Sequence, residues 1–180
     1  MDGNALRDGI FALNTRRFGS VAEVLVQRLE KLGKGRSLFH DLYDDVAKGR
    51  VEVKFSVARK QCETRVSEAS VLRCIAEARN EERMMAFADW KTVDFDCNIQ
   101  QIKRREFEVL YYGVFFADCI VIFRIRSDEI GPHIQYSDKQ HKGNLGEGQF
   151  HINRRTMQVH LEQHLYRTLT YDQLLELLTD

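Results

Sequence analysis

Apolar positions along this chain follow two rhythms. Val21, Val24, Leu25, Leu29 and Leu32 recur at helical spacing behind Ser20 and Glu23, and the run stops at Gly33 and Gly35. A serine followed three residues later by a glutamate is a capping-box pair, so the spacing predicts a helix of about three to four turns starting there. Residues 2–18, with Ala5, Leu6, Ile10, Phe11 and Leu13, carry a partly helical pattern ending at Arg16-Arg17. Beyond Gly49 the period becomes two: Val51, Val53 and Phe55 face one side and Glu52, Lys54 and Ser56 the other. Residues 37–46 and 50–58 then read as a hairpin. If Lys48-Gly49 is its two-residue turn, Val46 faces Val51, Asp45 faces Glu52, Tyr43 faces Lys54 and Asp41 faces Ser56.

Residues 63–89 are charged and alanine-rich, without glycine or proline, and predict a long helix broken near Asn80. Residues 90–101 read as irregular. Residues 106–116 and 119–125 are rich in Val, Ile, Phe and Tyr and predict neighbouring central strands turning at Ala117-Asp118. After Gly131-Pro132 a short strand is expected over 134–137, then a polar, glycine-punctuated loop over 137–155. Helices follow over 156–166 and from Thr170, whose Gln173 makes a second capping box. The order predicts an α/β (α+β) fold, a mixed central β-sheet flanked by helices, in a single domain over 1–180.

Charge and cysteines narrow the class only slightly. Among 180 residues, 27 basic side chains balance 27 acidic ones. That argues against a histone-like or tail-type nucleic-acid binder, but not against an enzyme with a local cleft. Cys62, Cys74, Cys97 and Cys119 form neither a C-x-x-C pair nor a secreted framework, so reduced thiols and a cytoplasmic location are expected. No secretory signal is expected from an N-terminal stretch holding Asp2 and Asp8, and the run 109–117 is too short to span a bilayer, so no membrane partner is expected. Gly143, Gly146 and Gly148 lack the lysine of a phosphate loop, no G-x-S-x-G elbow occurs, and His160 and His164, four apart, lack a third zinc ligand.

The chemistry concentrates in the hairpin. Face parity puts Asp41 and Asp45 with Glu52 and Lys54, and Asp44 on the other side. Paired carboxylates suit a hard divalent cation such as Mg²⁺, and a lysine beside it suits an attacking water. The plain alternative is a solvated amphipathic hairpin. Asp41 followed by Glu52-Val53-Lys54 resembles the motif of the PD-(D/E)xK nuclease superfamily, most of all its type II restriction endonucleases, with His40 where a proline often precedes the aspartate. The resemblance implies a restriction-endonuclease-like core and a Mg²⁺-dependent, sequence-specific double-stranded DNA endonuclease leaving 5′-phosphate and 3′-hydroxyl ends. Asp41, Glu52 and the backbone carbonyl of Val53 would bind the ion, with Asp45 as an alternative aspartate, and Lys54 would position or activate water. It also implies a glutamate on the preceding helix near the metal, which Glu23 fits and Glu30 fits less well, a homodimer, and a DNA methyltransferase in the same system.

A cutter of this kind needs a reader. Lys139, His141, Lys142, Asn144, Gln149, Asn153 and Arg154 bring into one polar stretch the side chains that pair with base edges, so they are candidate DNA contacts. Gln101-Ile102-Lys103 would point polar groups toward the acidic cluster. Two other functions fit the same residues: a structure- or lesion-specific repair or junction-resolving nuclease, and a non-enzymatic DNA-binding module.

Overall fold

The first long helix is capped earlier than the sequence pattern suggests. The computed structural model of the chain describes residues 1–35, 37, 39–61, 64–139 and 146–179. Helix α1 (Gly3–Ala12) starts at Asp2, whose carboxylate accepts from the Ala5 amide, and α2 (Thr15–Glu30) starts at Asn14, whose side chain accepts from the Arg17 amide. Asn14 is a strong N-cap residue, and it displaces the expected Ser20–Glu23 box. Ser20 instead sits inside α2, its hydroxyl turned to the Arg16 carbonyl. Glu23 is thereby released from any capping role.

Strands β1 (Gly33–Lys34), β2 (Leu42–Asp44), β3 (Gly49–Val57), β5 (Val109–Phe115), β6 (Ile120–Arg126) and β8 (Leu165–Leu169) form one mixed sheet in the order β1-β2-β3-β5-β6-β8. The β3–β5 pair is parallel and the other pairs are antiparallel. Strands β4 (Asp96–Ile102) and β7 (Gly148–Asn153) form a separate antiparallel ribbon. One face of the main sheet buries Val51, Val53, Tyr111, Phe115 and Ile122 against Phe11, Phe18, Leu25 and Val26 of α1 and α2 and Leu174 of α6 (Tyr171–Thr179). The other packs Leu110, Tyr112, Val114 and Phe123 against Cys97, Ile99, Phe150 and Ile152 of the ribbon and Met157 of α5 (Met157–Gln163). Helices therefore cover one face, and the ribbon with α5 covers the other. At Gly113 a side chain would run into the Phe55 ring and the Val121 carbonyl oxygen, so only glycine lets β3, β5 and β6 close up there. No helix among the described residues is long and apolar enough to cross a membrane. Cys97 and Cys119 are free and buried, and burial pushes both thiols up to about 12.

Several expected elements differ. The helix expected over 63–89 is replaced by α3 (Val71–Glu77), α4 (Asn80–Arg83) and a 3-10 turn over Phe87–Lys91. None of the α3 residues is buried, so helix-favouring composition alone had no packed face to extend it. Residues 90–101 are not irregular but end in β4, the stretch 137–155 contains β7, and the helix expected to reach 166 stops at Gln163 before edge strand β8. Ile134 closes a 3-10 turn, Pro132–Ile134, instead of opening a strand. The second capping box is present: the Thr170 amide donates to Gln173 Oε1 at 2.8 Å and the Gln173 amide to Thr170 Oγ1 at 3.2 Å.

Candidate active site

The hairpin register is the first determinant of the site. Leu42 pairs with Val51, Tyr43 with Arg50 and Asp44 with Gly49, four residues away from the expected register. The turn is longer than two residues because the Asp44 carboxylate accepts from the amides of Val46 and Ala47, both at 2.9 Å, and Lys48 takes a left-handed φ of 55°. Val46, expected to face Val51, is 94% exposed on that turn. A slip of four is even, so the faces are unchanged and Asp41 stays on the side of Glu52 and Lys54. Asp44 is occupied by the turn and Asp45 lies exposed within it.

β2 begins at Leu42, and Asp41, just before it, continues its place beside β3. Asp41 Oδ2 accepts from the Val53 amide at 2.9 Å. In an extended strand the N–H and C=O of one residue point to the same edge, so the Val53 carbonyl faces the same side as Asp41. Lys54 Nζ lies 3.6 Å from Asp41 Oδ2 and is ion-paired directly with Glu52 Oε1. Only 12% of the Glu52 side chain and 25% of the Lys54 side chain is exposed, because the ribbon stands over the polar face of β3. Burial, opposed by Lys54 and reinforced by Asp41 and Glu106, pushes the Glu52 carboxyl up to about 7. Burial acts to lower the Lys54 ammonium, but Glu52 and Asp41 together outweigh it and hold its pKa above the ordinary value. Glu23 of α2 belongs to the same electrostatic group: burial raises its carboxyl, Asp41 raises it further and Lys54 opposes both. Glu30 is spent elsewhere, accepting from the hydroxyls of Tyr111 and Tyr166.

Asp41, Glu52 and Lys54 line a cleft of about 270 Å³ with His40, Gln101, Lys103, Glu106 and Glu147. Gln101 reaches it through a bulge: the β4–β7 register shifts between Gln100 and Ile102, and Gln101 has a φ of 62°. Lys103 follows, within 3.7 Å of Glu106 and 3.8 Å of Glu147. The expectation that Gln101 and Lys103 point at the acidic cluster is met. Glu106 and Glu147 are added by the structure, and no spacing in the sequence marks them. The cleft adjoins two depressions. One, about 890 Å³, shares Lys103, Glu106 and Glu147 with it and carries Arg104, Arg105 and Lys139. The other, about 710 Å³, shares Lys54 and Gln101 and carries Arg16 and Arg59 with Glu23, Asn98 and Gln100. Carboxylates thus stand where the depressions meet, with Arg16 and Arg59 on one side and Arg105, Lys139 and Arg104, the last paired with Asp138 at 3.2 Å, on the other.

The remaining candidate DNA contacts are scattered. Lys139 borders the first depression. Gln149 is bonded to Asn98, Asn153 Oδ1 is occupied by the amides of Arg155 and Thr156, and Arg154 pairs with Asp94 at 3.3 Å. Asn153 ends β7 with its side chain holding the turn that follows, and Arg154 lies outside the groove beside Asp94. His141, Lys142 and Asn144 lie outside the described residues.

The donor set is hard and oxygen-only: two carboxylates, with a third on α2, and one backbone carbonyl. Among the described residues no cluster of three or more His, Cys, Asp or Glu forms a ready-made metal cage. No protein-family model matches the chain, and neither a curated protein nor a solved structure matches it.

Proposed function

We propose that the chain is a Mg²⁺-dependent endonuclease that hydrolyses double-stranded DNA, of the type II restriction kind, leaving 5′-phosphate and 3′-hydroxyl ends. The observation that carries this reading is the convergence of Asp41, Glu52 and Lys54 beside the Val53 carbonyl, between a depression that carries Arg16 and Arg59 and one that carries Arg104, Arg105 and Lys139. Asp41, Glu52 and the Val53 carbonyl would hold the ion, with Glu23 beside them. Bound Mg²⁺ supplies charge neutralisation and polarisation at a scissile phosphate.

The protein's own groups divide the remaining work. Lys54, held as an ammonium, donates to the attacking water or to a non-bridging phosphate oxygen and so fixes their approach. Deprotonated Glu52 accepts from water and from Lys54. Arg16 and Arg59 on one side, with Arg104, Arg105 and Lys139 on the other, hold the flanking phosphates. A homodimer acting on both strands and a protective methyltransferase in the same system belong to this proposal.

Incubation of the purified chain with supercoiled plasmid, with Mg²⁺ or with chelator, tests it. Discrete Mg²⁺-dependent fragments support the restriction reading. Cleavage confined to junctions or lesions would replace it with a repair role, and binding without cleavage under any divalent ion would replace it with a non-enzymatic one.

A further inference from the structure

The β4–β7 ribbon has one face in the core, through Cys97, Ile99, Ile102, Phe150 and Ile152, and its other face is wholly polar. The outward positions are Asp96, Asn98 and Gln100 on β4 and Gln149, His151 and Asn153 on β7, paired across the ladder as Asp96 with Asn153, Asn98 with His151 and Gln100 with Gln149. The bulge adds Gln101 to the same side of the groove. The two ionisable members are partnered with each other: His151 Nδ1 lies 2.9 Å from the Asp96 carboxylate. Asn153 is used by the turn that follows it. What remains is a strip of primary amides, Asn98, Gln100, Gln101 and Gln149, with Asn98 Nδ2 donating to Gln149 Oε1 at 3.3 Å. Asn98, Gln100 and Gln101 line the depression that Lys54 enters.

We infer that this ribbon enters the DNA major groove and that its amide strip reads adenine, so that the cleaved sequence contains A·T pairs at fixed positions. The inference rests on the nuclease reading and adds the reader and its base. A major groove admits a two-stranded β-ribbon, and a glutamine or asparagine amide matches adenine N6 and N7 bidentately, whereas guanine is read by arginine or lysine. No arginine or lysine stands at the ribbon's outward positions. The basic residues are instead in the two depressions beside the cleft, where phosphates pass. Gln100 and Gln149, opposite each other on the ladder, are the central readers. Asn98 fixes the orientation of Gln149.

The test is cleavage mapping on amplified DNA carrying 7-deazaadenine or 7-deazaguanine in place of the natural purine, with the wild-type chain and Mg²⁺. The deaza bases lack the N7 acceptor, and no protein variant is needed. The inference expects a cut-site consensus with fixed A·T pairs, at least a tenfold loss of cleavage with 7-deazaadenine and little change with 7-deazaguanine. In parallel, Gln100→Leu and Gln149→Leu each narrow the preference for the site over its one-base variants by about tenfold. A consensus of G·C pairs alone, a loss confined to 7-deazaguanine, or variants with unaltered preference overturns the inference and leaves the nuclease reading standing. A wild-type chain that cuts no DNA under Mg²⁺ overturns both.

Discussion

The Val53 amide donates a 2.9 Å hydrogen bond to the Asp41 carboxylate, so the strand that carries Glu52 and Lys54 also positions their aspartate partner. Asp41 thereby takes a place that a fourth β2–β3 ladder pair would otherwise fill. Its second consequence is that Lys54 lies between two carboxylates in a half-buried cleft, where removing any one member changes the charge felt by the other two.

Three nearby aspartates have different roles, and substitution separates them. Asp41→Ala is expected to abolish Mg²⁺-dependent cleavage. Asp44→Ala removes the acceptor of two turn amides and is expected to cost about 1 kcal/mol of stability while cleavage persists. Asp45→Ala, in the exposed turn, should leave cleavage in place. Urea unfolding and plasmid digestion of the three variants, run together, check the assignment.

Glu52 sets a pH dependence of stability whose sign follows from its raised pKa. The folded carboxyl titrates near 7 and the unfolded one near 4.3, so the folded state binds the proton more tightly. Stability from this group is present in full below about pH 4 and is lost as pH rises through 7, by roughly 4 kcal/mol at most. Without divalent ions, Glu52→Gln should melt higher than wild type at pH 8, and the difference should shrink toward pH 4.5. Thermal unfolding across that range decides it. An unchanged difference at both ends would remove the electrostatic account of the site.

His160 works in the opposite direction. It is fully buried, its Nδ1 2.9 Å from the Tyr112 hydroxyl, and burial, then His164 and His133, push its pKa down to about 3. The folded pKa lies below the unfolded one of about 6.5, so stability present above pH 6.5 is lost as pH falls toward 3. The double variant Tyr112→Phe, His160→Phe, which leaves no orphaned hydroxyl, should show a shallower loss of urea resistance between pH 6.5 and 4 than wild type.

The charged face of the hairpin was legible because period-two alternation survives any even register slip: Glu52 and Lys54 needed only the parity of β3. The register itself was not legible, since it depends on the Asp44 carboxylate choosing the Val46 and Ala47 amides. The ribbon was missed on both strands. In β4 the bulge at Gln101 breaks the alternation, and in β7 the alternating run from Gln149 to Asn153 lies next to glycines and charges that read as loop. Residues 63–89 were misread for the opposite reason: helix propensity is local, and α3 buries nothing. Glu106 and Glu147 reach the cleft from separate parts of the chain, a convergence that only the folded topology creates.

The central claim is that Asp41, Glu52 and Lys54 form one hydrolytic centre for DNA. The most direct measurement is Mg²⁺-dependent cleavage of plasmid DNA by wild type and Lys54→Ala, with folding of the variant verified by its melting curve. The account predicts discrete fragments from wild type, none with chelator, and at least a hundredfold slower cleavage by the folded variant. Cleavage by Lys54→Ala at the wild-type rate would contradict it.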